Sequence, residues 1–215
     1  DGESTWFPAA EASEVVDVGG DHGVVLRRVQ GGSVDLVDIL QFPYLANGIL
    51  KISVDTRVSD PAVRTLDLCL FPQSGGLMAS FLAFGTNANQ FSYYNGTAWE
   101  GLTNLDGAWH HLEITNYLSG PHRGKFDLSF DGVLIGEKLA WRHVIAEGTA
   151  FGRLRVGAIR GTFAGAYGEV DNLVISGAPA PAVALPVTIL NPAHSGDSFS
   201  FSFISQNGFG HAVEY

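Results

Sequence analysis

The sequence predicts an all-β protein: a two-sheet antiparallel β-sandwich followed by a C-terminal β-tail. Three observations support this fold class. Apolar and polar residues alternate along most of the chain, Asn-Gly and Asp-Gly pairs mark tight hairpins, and glycine is abundant, at 27 of 215 residues. Charged residues make up only 16%, below the roughly 25% of an average globular domain. Glycine-rich, charge-poor chains with many short alternating segments are typical of β-sandwiches.

The alternation predicts a series of short strands before residue 177. In the clearest of them, 49–58, the side chains of Leu50, Ile52 and Val54 share one face and Lys51 lies on the other. In chain order we predict strands at 23–29, 33–40, 49–58, 63–71, 78–84, 91–94, 97–102, 109–117, 125–130, 133–138, 154–159 and 169–175. One face of most segments is aliphatic or aromatic, so two sheets can bury these faces against each other.

Two dipeptides predict the turns of β-hairpins. Asn95-Gly96 and Asp131-Gly132 each lie between two alternating segments. Asn-Gly and Asp-Gly favour two-residue hairpin turns because both positions accept a positive φ angle. The strands on either side of each dipeptide are therefore expected to pair with each other.

The composition changes after residue 177. The segment 178–186 is rich in alanine and proline, which predicts a stiff, extended linker. The remaining residues, 187–215, form a tail or the start of a truncated second domain, and Phe199, Phe201 and Phe203 share one face of its alternating strand. Because an isolated hairpin is marginally stable in water, we expect the tail to pack on the main domain, pair with another chain, or continue into a second domain.

Charge and cysteine content exclude several classes of function. The formal net charge of −10 opposes binding to nucleic-acid phosphates or to an anionic membrane surface. The single cysteine, Cys69, cannot form an intrachain disulfide or a cysteine-based zinc site, and alternation places it on the polar side of its strand. No apolar run reaches the roughly 18 residues of a membrane span, so none is predicted.

Three motifs within residues 107–177 carry a family resemblance. They are a Trp-His-His strand at 109–111, a Phe-Asp-Gly hairpin at 130–132, and the closing strands Leu-Arg-Val-Gly at 154–157 and Gly-Glu-Val-Asp-Asn-Leu-Val-Ile at 168–175. On these motifs the chain resembles laminin-G-like and concanavalin A-like jelly-roll domains of secreted bacterial proteins. The resemblance implies a jelly roll over 1–177 and a secreted or cell-surface location. The tail resembles the opening strands of a second β-domain.

The resemblance, together with the absence of paired carboxylates, the acidic charge and the single cysteine, favours a non-catalytic glycan-binding module in a multidomain protein. Sugar binding requires aromatic faces beside polar groups that hydrogen-bond to hydroxyls. The candidate ligand-binding residues are Trp141, Arg142, Trp99, Tyr94, His111 and Glu113. An arginine beside a tryptophan suits a sulfated or uronic-acid glycan. Trp141 lies in an apparent loop, where covering the sandwich edge is favoured and an exposed, ligand-binding position is the alternative, whereas Trp109 is predicted to lie in the core.

Two other functions stay open. The chain could be a structural subunit that joins copies of itself by strand addition through the tail. It could also be a polysaccharide lyase in which His111 and Tyr117, on one face of a predicted strand, act as base and acid. A complete catalytic motif is lacking, since neither paired carboxylates at the required spacing nor a Ser/His/Asp set is evident in the sequence.

The resemblance also implies a structural calcium ion. Oxygen-rich loops of acidic jelly rolls bind calcium through carboxylates and backbone carbonyls. By resemblance, Asp171 in the closing strand is the candidate ligand. The alternative is that Asp171 caps a turn or makes a surface contact.

Overall fold

The computed structural model describes residues 5–7, 13–29, 38–86, 89–157, 165–178, 189–195 and 198–203. Within these residues the chain forms strands and contains no helix. In chain order the strands are β1 (Thr5–Phe7), β2 (Ser13–Gly19), β3 (Gly23–Arg28), β4 (Asp38–Leu45), β5 (Ile49–Val58), β6 (Leu66–Pro72), β7 (Phe81–Thr86), β8 (Gln90–Tyr94), β9 (Trp99–Asn104), β10 (His110–Tyr117), β11 (Lys125–Phe130), β12 (Val133–Ala140), β13 (Phe151–Val156), β14 (Gly168–Ala178), β15 (Ile189–Ser195) and β16 (Ser198–Phe203).

The first fourteen strands form two seven-stranded sheets. Sheet I has the order β1-β4-β13-β6-β7-β8-β9, and sheet II has the order β12-β11-β10-β5-β14-β3-β2. Every pairing in them is antiparallel. Strands distant in sequence become neighbours, since β13 lies between β4 and β6, and β14 lies between β5 and β3. This arrangement confirms the predicted all-β, two-sheet sandwich of jelly-roll type.

The apolar faces of the two sheets form one core, as the alternation predicts. On β5, Leu50, Ile52 and Val54 are fully buried, and the intervening Lys51 is exposed. The largest fully buried side chains include Phe84, Phe91, Phe126 and Phe151, which come from both sheets. The transfer of an aromatic or aliphatic side chain of this size from water stabilises the fold by roughly 1.5–3 kcal/mol.

Both hairpins form where the dipeptides predict them, but only the Asp131-Gly132 loop has two residues, since Tyr94 pairs with Trp99 and the loop between β8 and β9 spans 95–98. Asp131 and Gly132 have φ angles of 49° and 77°, as a turn between β11 and β12 requires. Between β8 and β9, the side-chain oxygen of Asn95 accepts hydrogen bonds from the amides of Thr97 and Ala98 at 2.8 and 2.9 Å. These side-chain bonds replace ladder bonds that the turn residues cannot make.

Strand ends differ from the sequence prediction where the chain leaves a sheet. Residues 63–65 precede β6 instead of opening it, because the amide of Val63 bonds to the carbonyl of Asp60 in a turn. The predicted strand 33–40 lies in part outside the described residues, and β4 runs on to Leu45. Strands β1 and β2 were not predicted because each is short or edge-forming and lacks a clear alternation.

The chain divides into two units, Asp1–Ala180 and Pro181–Tyr215. The predicted linker 178–186 lies outside the described residues except for Ala178. In the second unit, β16 pairs with β15, and Phe199 and Phe203 lie opposite His194 and Ile189 in the register. The side chains of Phe199, Phe201 and Phe203 lie outside the described part, so self-association through them stays a prediction. None of the described residues belongs to a helix long and apolar enough to cross a membrane.

Candidate functional site

The outer face of sheet I carries a cluster of arginine and aromatic side chains. We call it the arginine–aromatic face and define it by Arg64, Phe71, Phe81, Tyr94, Trp99, Arg142, Arg153 and Arg155. Four guanidinium groups therefore lie on one side of a protein whose net charge is −10. The carboxylate of Asp67 offsets one of these charges and Arg155 is only 3% exposed, so Arg142 and Arg153 carry most of the positive charge that this face presents to solvent.

Phe81 lies at the centre of this face. The guanidinium carbons of Arg142, Arg64 and Arg155 lie 5.0, 5.6 and 5.6 Å from the centre of its ring. Trp99 packs edge-on against the same ring at 4.8 Å. All three cations lie within the roughly 6 Å over which an aromatic ring attracts a cation. Phe81 therefore holds the three arginines close together, and the carboxylate of Asp67, 2.7 Å from Arg64 and 3.9 Å from Arg155, offsets one of their three charges.

Two buried side chains beneath this face, Asp67 and Cys69, bind Arg64 and Arg155 and hold them in place. Asp67, which is fully buried, accepts hydrogen bonds from Nε and Nη2 of Arg64 at 2.8 and 2.7 Å. Arg155 donates from Nη2 to the sulfur of Cys69 at 2.9 Å. Burial raises the pKa of the Cys69 thiol to about 12, so the sulfur stays uncharged at neutral pH. Cys69 lies on the outer side of its strand, as alternation predicts, but under the side chain of Arg155.

Three predicted ligand-binding residues belong to this face. Arg142 lies 4.9 Å above the ring of Tyr94, and the ring centres of Tyr94 and Trp99 are 5.2 Å apart. All three side chains are half-buried, so each keeps surface in contact with solvent. The structure therefore brings Arg142, Tyr94 and Trp99 together at one surface.

Trp141 is buried, as the favoured edge-covering interpretation predicts, so its prediction as an exposed ligand-binding residue is wrong. Its side chain is 6% exposed and packs edge-on against Phe151, with 5.2 Å between ring centres. The amide of Trp141 bonds to the carbonyl of Gly124 at 2.9 Å, and that of Arg142 to Ala79 at 3.0 Å. These two bonds fix the segment across the sandwich, so Trp141 turns into the core and Arg142 turns outward.

The sequence did not identify Arg64, Phe81 and Arg155 as site residues. Alternation does place Arg153 and Arg155 on one face of β13, which is a usable signal. However, β13 meets β6 only through a pairing between residues distant in sequence, such as that between Arg155 and Cys69. The clustering therefore depends on sheet order, which the local pattern does not contain.

The other predicted ligand-binding residues, His111 and Glu113, lie on the outer face of sheet II. His111 donates from Nδ1 to Asp55 Oδ1 at 2.6 Å, and its Nε2 lies 3.3 Å from the hydroxyl of Ser53. Asn172 donates to the second oxygen of Asp55 at 2.8 Å. A Ser/His/Asp set that is not evident in the sequence therefore forms in the structure, because β5 and β10 pair and bring these side chains together.

Asp171 has a histidine as its partner. Nδ1 of His22 lies 3.1 Å from Asp171 Oδ2, and the ring of His22 stacks on Trp109 at 3.9 Å. Trp109 is thus half-buried on the outside of sheet II and not in the core, contrary to prediction. The described residues contain no group of three or more His, Cys, Asp or Glu side chains that could hold a metal ion. Calcium at Asp171, with backbone carbonyls as further ligands, stays a prediction from the resemblance.

Tyr117 belongs to a separate cluster at the far end of β10. Its hydroxyl donates to Asp127, whose carboxylate also binds the ammonium group of Lys138 at 2.7 Å. Because Tyr117 and His111 are six residues apart on one strand, their Cα atoms are separated by about 20 Å. The structure does not bring these two residues into one site, so they cannot act as the base and acid of a single lyase reaction.

Acid is expected to destabilise the domain through Asp127. Burial raises the pKa of this carboxyl group, but hydrogen bonds from Lys138 and Tyr117 outweigh burial and hold the pKa below its usual value. Such a group stabilises the fold above its unfolded pKa of about 3.9, and the contribution is lost as the pH falls through the folded pKa. We expect the free energy of unfolding, measured in urea, to fall below about pH 4. Asp127→Asn should reduce this dependence, and an unchanged pH slope would contradict the prediction.

No protein-family model matches the sequence, and no curated protein sequence matches it either. Solved structures do match the fold. The endo-β-1,4-glucuronan lyase from the fungus Trichoderma reesei has a TM-score of 0.53 at 13% identity, over 82% of this chain and 88% of that one. An alginate lyase in complex with an alginate trisaccharide has a TM-score of 0.54 at 11% identity, over 81% and 88%. An alginate lyase of polysaccharide lyase family 7 has a TM-score of 0.51 at 14% identity, over 80% and 85%.

These similarities identify the fold as a β-sandwich jelly roll and, at such low identity, establish nothing more. The predicted fold class is therefore confirmed. The narrower laminin-G-like assignment has no matching family model and stays a prediction.

Proposed function

We propose that this chain is a glycan-binding module of a secreted or cell-surface protein, and that its arginine–aromatic face binds acidic polysaccharides without cleaving them. The single observation that carries the proposal is the convergence of Arg64, Arg142 and Arg155 on the ring of Phe81. The lyases among the similar structures act on polysaccharides, as their names state, which agrees with this class of ligand.

The chemistry of the face suits uronate or sulfate groups. A guanidinium group can donate two parallel hydrogen bonds to a carboxylate or sulfate, and stacking on an aromatic ring orients it in advance. Arg142 is the best placed for this role, since its planar group lies over Tyr94 and Phe81 and is only half-buried. Arg64, by contrast, already uses two of its donors on Asp67.

The aromatic groups supply the second requirement of sugar binding. Trp99 and Tyr94 are half-buried neighbours in register on β9 and β8, and both point to the outside of sheet I. The flat faces of such rings pack against the C–H groups of a sugar ring, while adjacent polar groups bind its hydroxyls. The face therefore combines charge recognition with stacking.

Binding can be tested by isothermal titration with alginate as the acidic polysaccharide and dextran as the neutral one. Alginate should bind and dextran should not, and alginate binding should weaken as salt rises because ionic attraction is screened. We expect Arg142→Ala to weaken alginate binding at least about tenfold, equivalent to about 1.4 kcal/mol. Arg142→Lys should recover only part of the loss, because lysine keeps the charge but not the planar group.

Lys125→Ala is the matched control. It removes the same charge from an exposed position on β11, in the opposite sheet. Its affinity for alginate should stay within about twofold of the unmodified protein, since long-range charge effects are screened at physiological salt. Equal loss in Arg142→Ala and Lys125→Ala, or equal binding of alginate and dextran, would contradict the proposal.

A further inference from the structure

The outer face of sheet II holds a hydrogen-bonded relay of serine, histidine and aspartate. Ser53 and Asp55 lie two residues apart on β5 and point to the same side, and His111 faces Asp55 in the register from β10. The Ser53 hydroxyl is 3.3 Å from His111 Nε2, and His111 Nδ1 is 2.6 Å from Asp55 Oδ1. The His111–Asp55 distance is within the roughly 2.6–3.2 Å expected between a base and the group that orients it, and the Ser53–His111 distance is slightly longer, as is common without a bound substrate.

The carboxylate fixes the tautomer of the histidine. A carboxylate only accepts hydrogen bonds, so Nδ1 of His111 must carry the proton that it donates to Asp55. In the neutral ring Nε2 then presents its lone pair toward the hydroxyl of Ser53. Asp55 stays ionised, because hydrogen bonds from Asn172 and His111 outweigh its burial and lower its pKa. Its second oxygen is held by Asn172 at 2.8 Å, which keeps the carboxylate in place.

Ser53 opens onto a cleft that can receive a small substrate. The cleft has a volume of about 170 Å³ and is lined by Lys51, Ser53, Glu113, Thr115, Val174 and Ser176 among other residues. Lys51 precedes Ser53 by two residues and so shares its side of β5. Its ammonium group is the cation among the residues that line the cleft. It can stabilise the negative charge that develops on the substrate oxygen when Ser53 attacks. The cleft thus contains a nucleophile and an electrostatic partner for an oxyanion.

We propose that Ser53, His111 and Asp55 form a nucleophilic triad that hydrolyses short-chain carboxylic esters. The Ser53 oxygen attacks the ester carbonyl while His111 Nε2 takes the hydroxyl proton. The tetrahedral intermediate collapses to an acyl-serine, and the departing alcohol receives that proton. Water then attacks the acyl-serine, gives its proton to His111, and releases the carboxylic acid as Ser53 recovers its proton. This activity lies on the opposite sheet from the proposed glycan-binding face and does not depend on it.

The size and charge of the cleft restrict the substrate. A volume of about 170 Å³ accommodates an acyl group of a few carbons but not a long chain. Glu113 is exposed at the same lining, which disfavours an anionic acyl group beside it. A neutral acetyl ester is therefore the substrate class that fits.

The test uses the full chain and two independent measurements. An alkyl fluorophosphonate, which phosphonylates activated serines, should label the protein once, and peptide mapping should place the label on Ser53. Hydrolysis of p-nitrophenyl acetate should fall at least about 100-fold in Ser53→Ala and His111→Gln, the range associated with loss of a general base. Mapping the label on the unmodified protein needs no variant, so it stays decisive even if a variant fails to fold.

Ser129→Ala is the matched control. Ser129 faces Glu113 from β11 as Ser53 faces it from β5, and both serines are half-buried. This variant should retain labelling at Ser53 and the full hydrolysis rate. Absence of label on Ser53, label spread over several serines, or equal hydrolysis by Ser53→Ala and Ser129→Ala would each overturn the proposal.

Discussion

Replacing Glu169 by alanine is expected to lower the free energy of unfolding by about 3–5 kcal/mol. Glu169 is fully buried, and two arginines bind its two oxygens. Arg27 donates to Oε1 at 2.8 and 2.7 Å, and Arg57 donates to Oε2 at 2.6 Å from both Nε and Nη2. Removing the carboxylate leaves two partly buried guanidinium groups facing each other, and the carboxylate that remains near Arg27, Glu14 at 3.7 Å, is half-exposed.

The position of Glu169 explains why the loss should be large. It lies on β14, in register with Arg27 on β3 and Arg57 on β5, so the three side chains link three neighbouring strands of sheet II. Burial lowers the pKa of Arg27, but the hydrogen bond and attraction from Glu169 outweigh it and raise the pKa. Glu169→Gln should cost less than Glu169→Ala, since the amide keeps the size and one acceptor oxygen while losing the charge.

Glu14→Ala provides the matched comparison. Glu14 lies 3.7 Å from Arg27, but its side chain is 49% exposed, against 0% for Glu169. An exposed pair of this kind contributes about 0–1 kcal/mol, so urea denaturation should separate the two variants clearly. If both variants lost a similar amount of unfolding free energy, burial would not be the reason that Glu169 stabilises the fold.

The fold was predictable because its strongest signals are local. Period-two alternation over 49–58 predicts which residues face the core, and Leu50, Ile52 and Val54 are buried as it predicts. Asp131-Gly132 likewise specifies its own turn through two positive φ angles. In each case the physical cause acts between residues that are close in sequence.

The candidate sites were only partly predictable because their contacts are long-range. Alternation places Ser53 and His111 on the outsides of their strands, but their contact requires β5 and β10 to pair in one register. A shift of that register by one residue would turn one side chain away from the other. Two interpretations of Trp141 stayed open for a different reason. Between strands, alternation does not indicate which side a residue faces, and an aromatic side chain fits a core as well as a sugar site.

Gly85→Ala is the second substitution expected to destabilise the protein strongly. Gly85 has a φ of 82°, and a Cβ atom there would lie 2.6 Å from the carbonyl carbon of Val63 and closer still to the carbonyl oxygen. Both contacting atoms belong to the backbone and cannot rotate away. The positive φ costs an alanine about 1–2 kcal/mol, and overpacking costs a further 1–3 kcal/mol or so, giving a total of about 2–5 kcal/mol.

Gly75→Ala separates these two contributions. Gly75 has nearly the same φ, 85°, but nothing lies within 4 Å of the Cβ that alanine would add. It should therefore show only the conformational cost of about 1–2 kcal/mol in urea denaturation. The difference between the two variants measures the contact with Val63, and equal losses would mean that the backbone relaxes around the new methyl group.

The same substitution should also affect the arginine–aromatic face. The backbone nitrogen of Arg64 lies 3.0 Å from the position that the new methyl group would take at Gly85, so relief of the clash must displace the residue that bonds to Asp67 and stacks on Trp99. We therefore expect Gly85→Ala, at a temperature where it is still folded, to weaken alginate binding more than Gly75→Ala, which contacts the face only through its carbonyl, an acceptor for Arg153. Unchanged binding in a destabilised Gly85→Ala would show that Arg64 tolerates the shift, and that recognition depends on Arg142 and the aromatic rings instead.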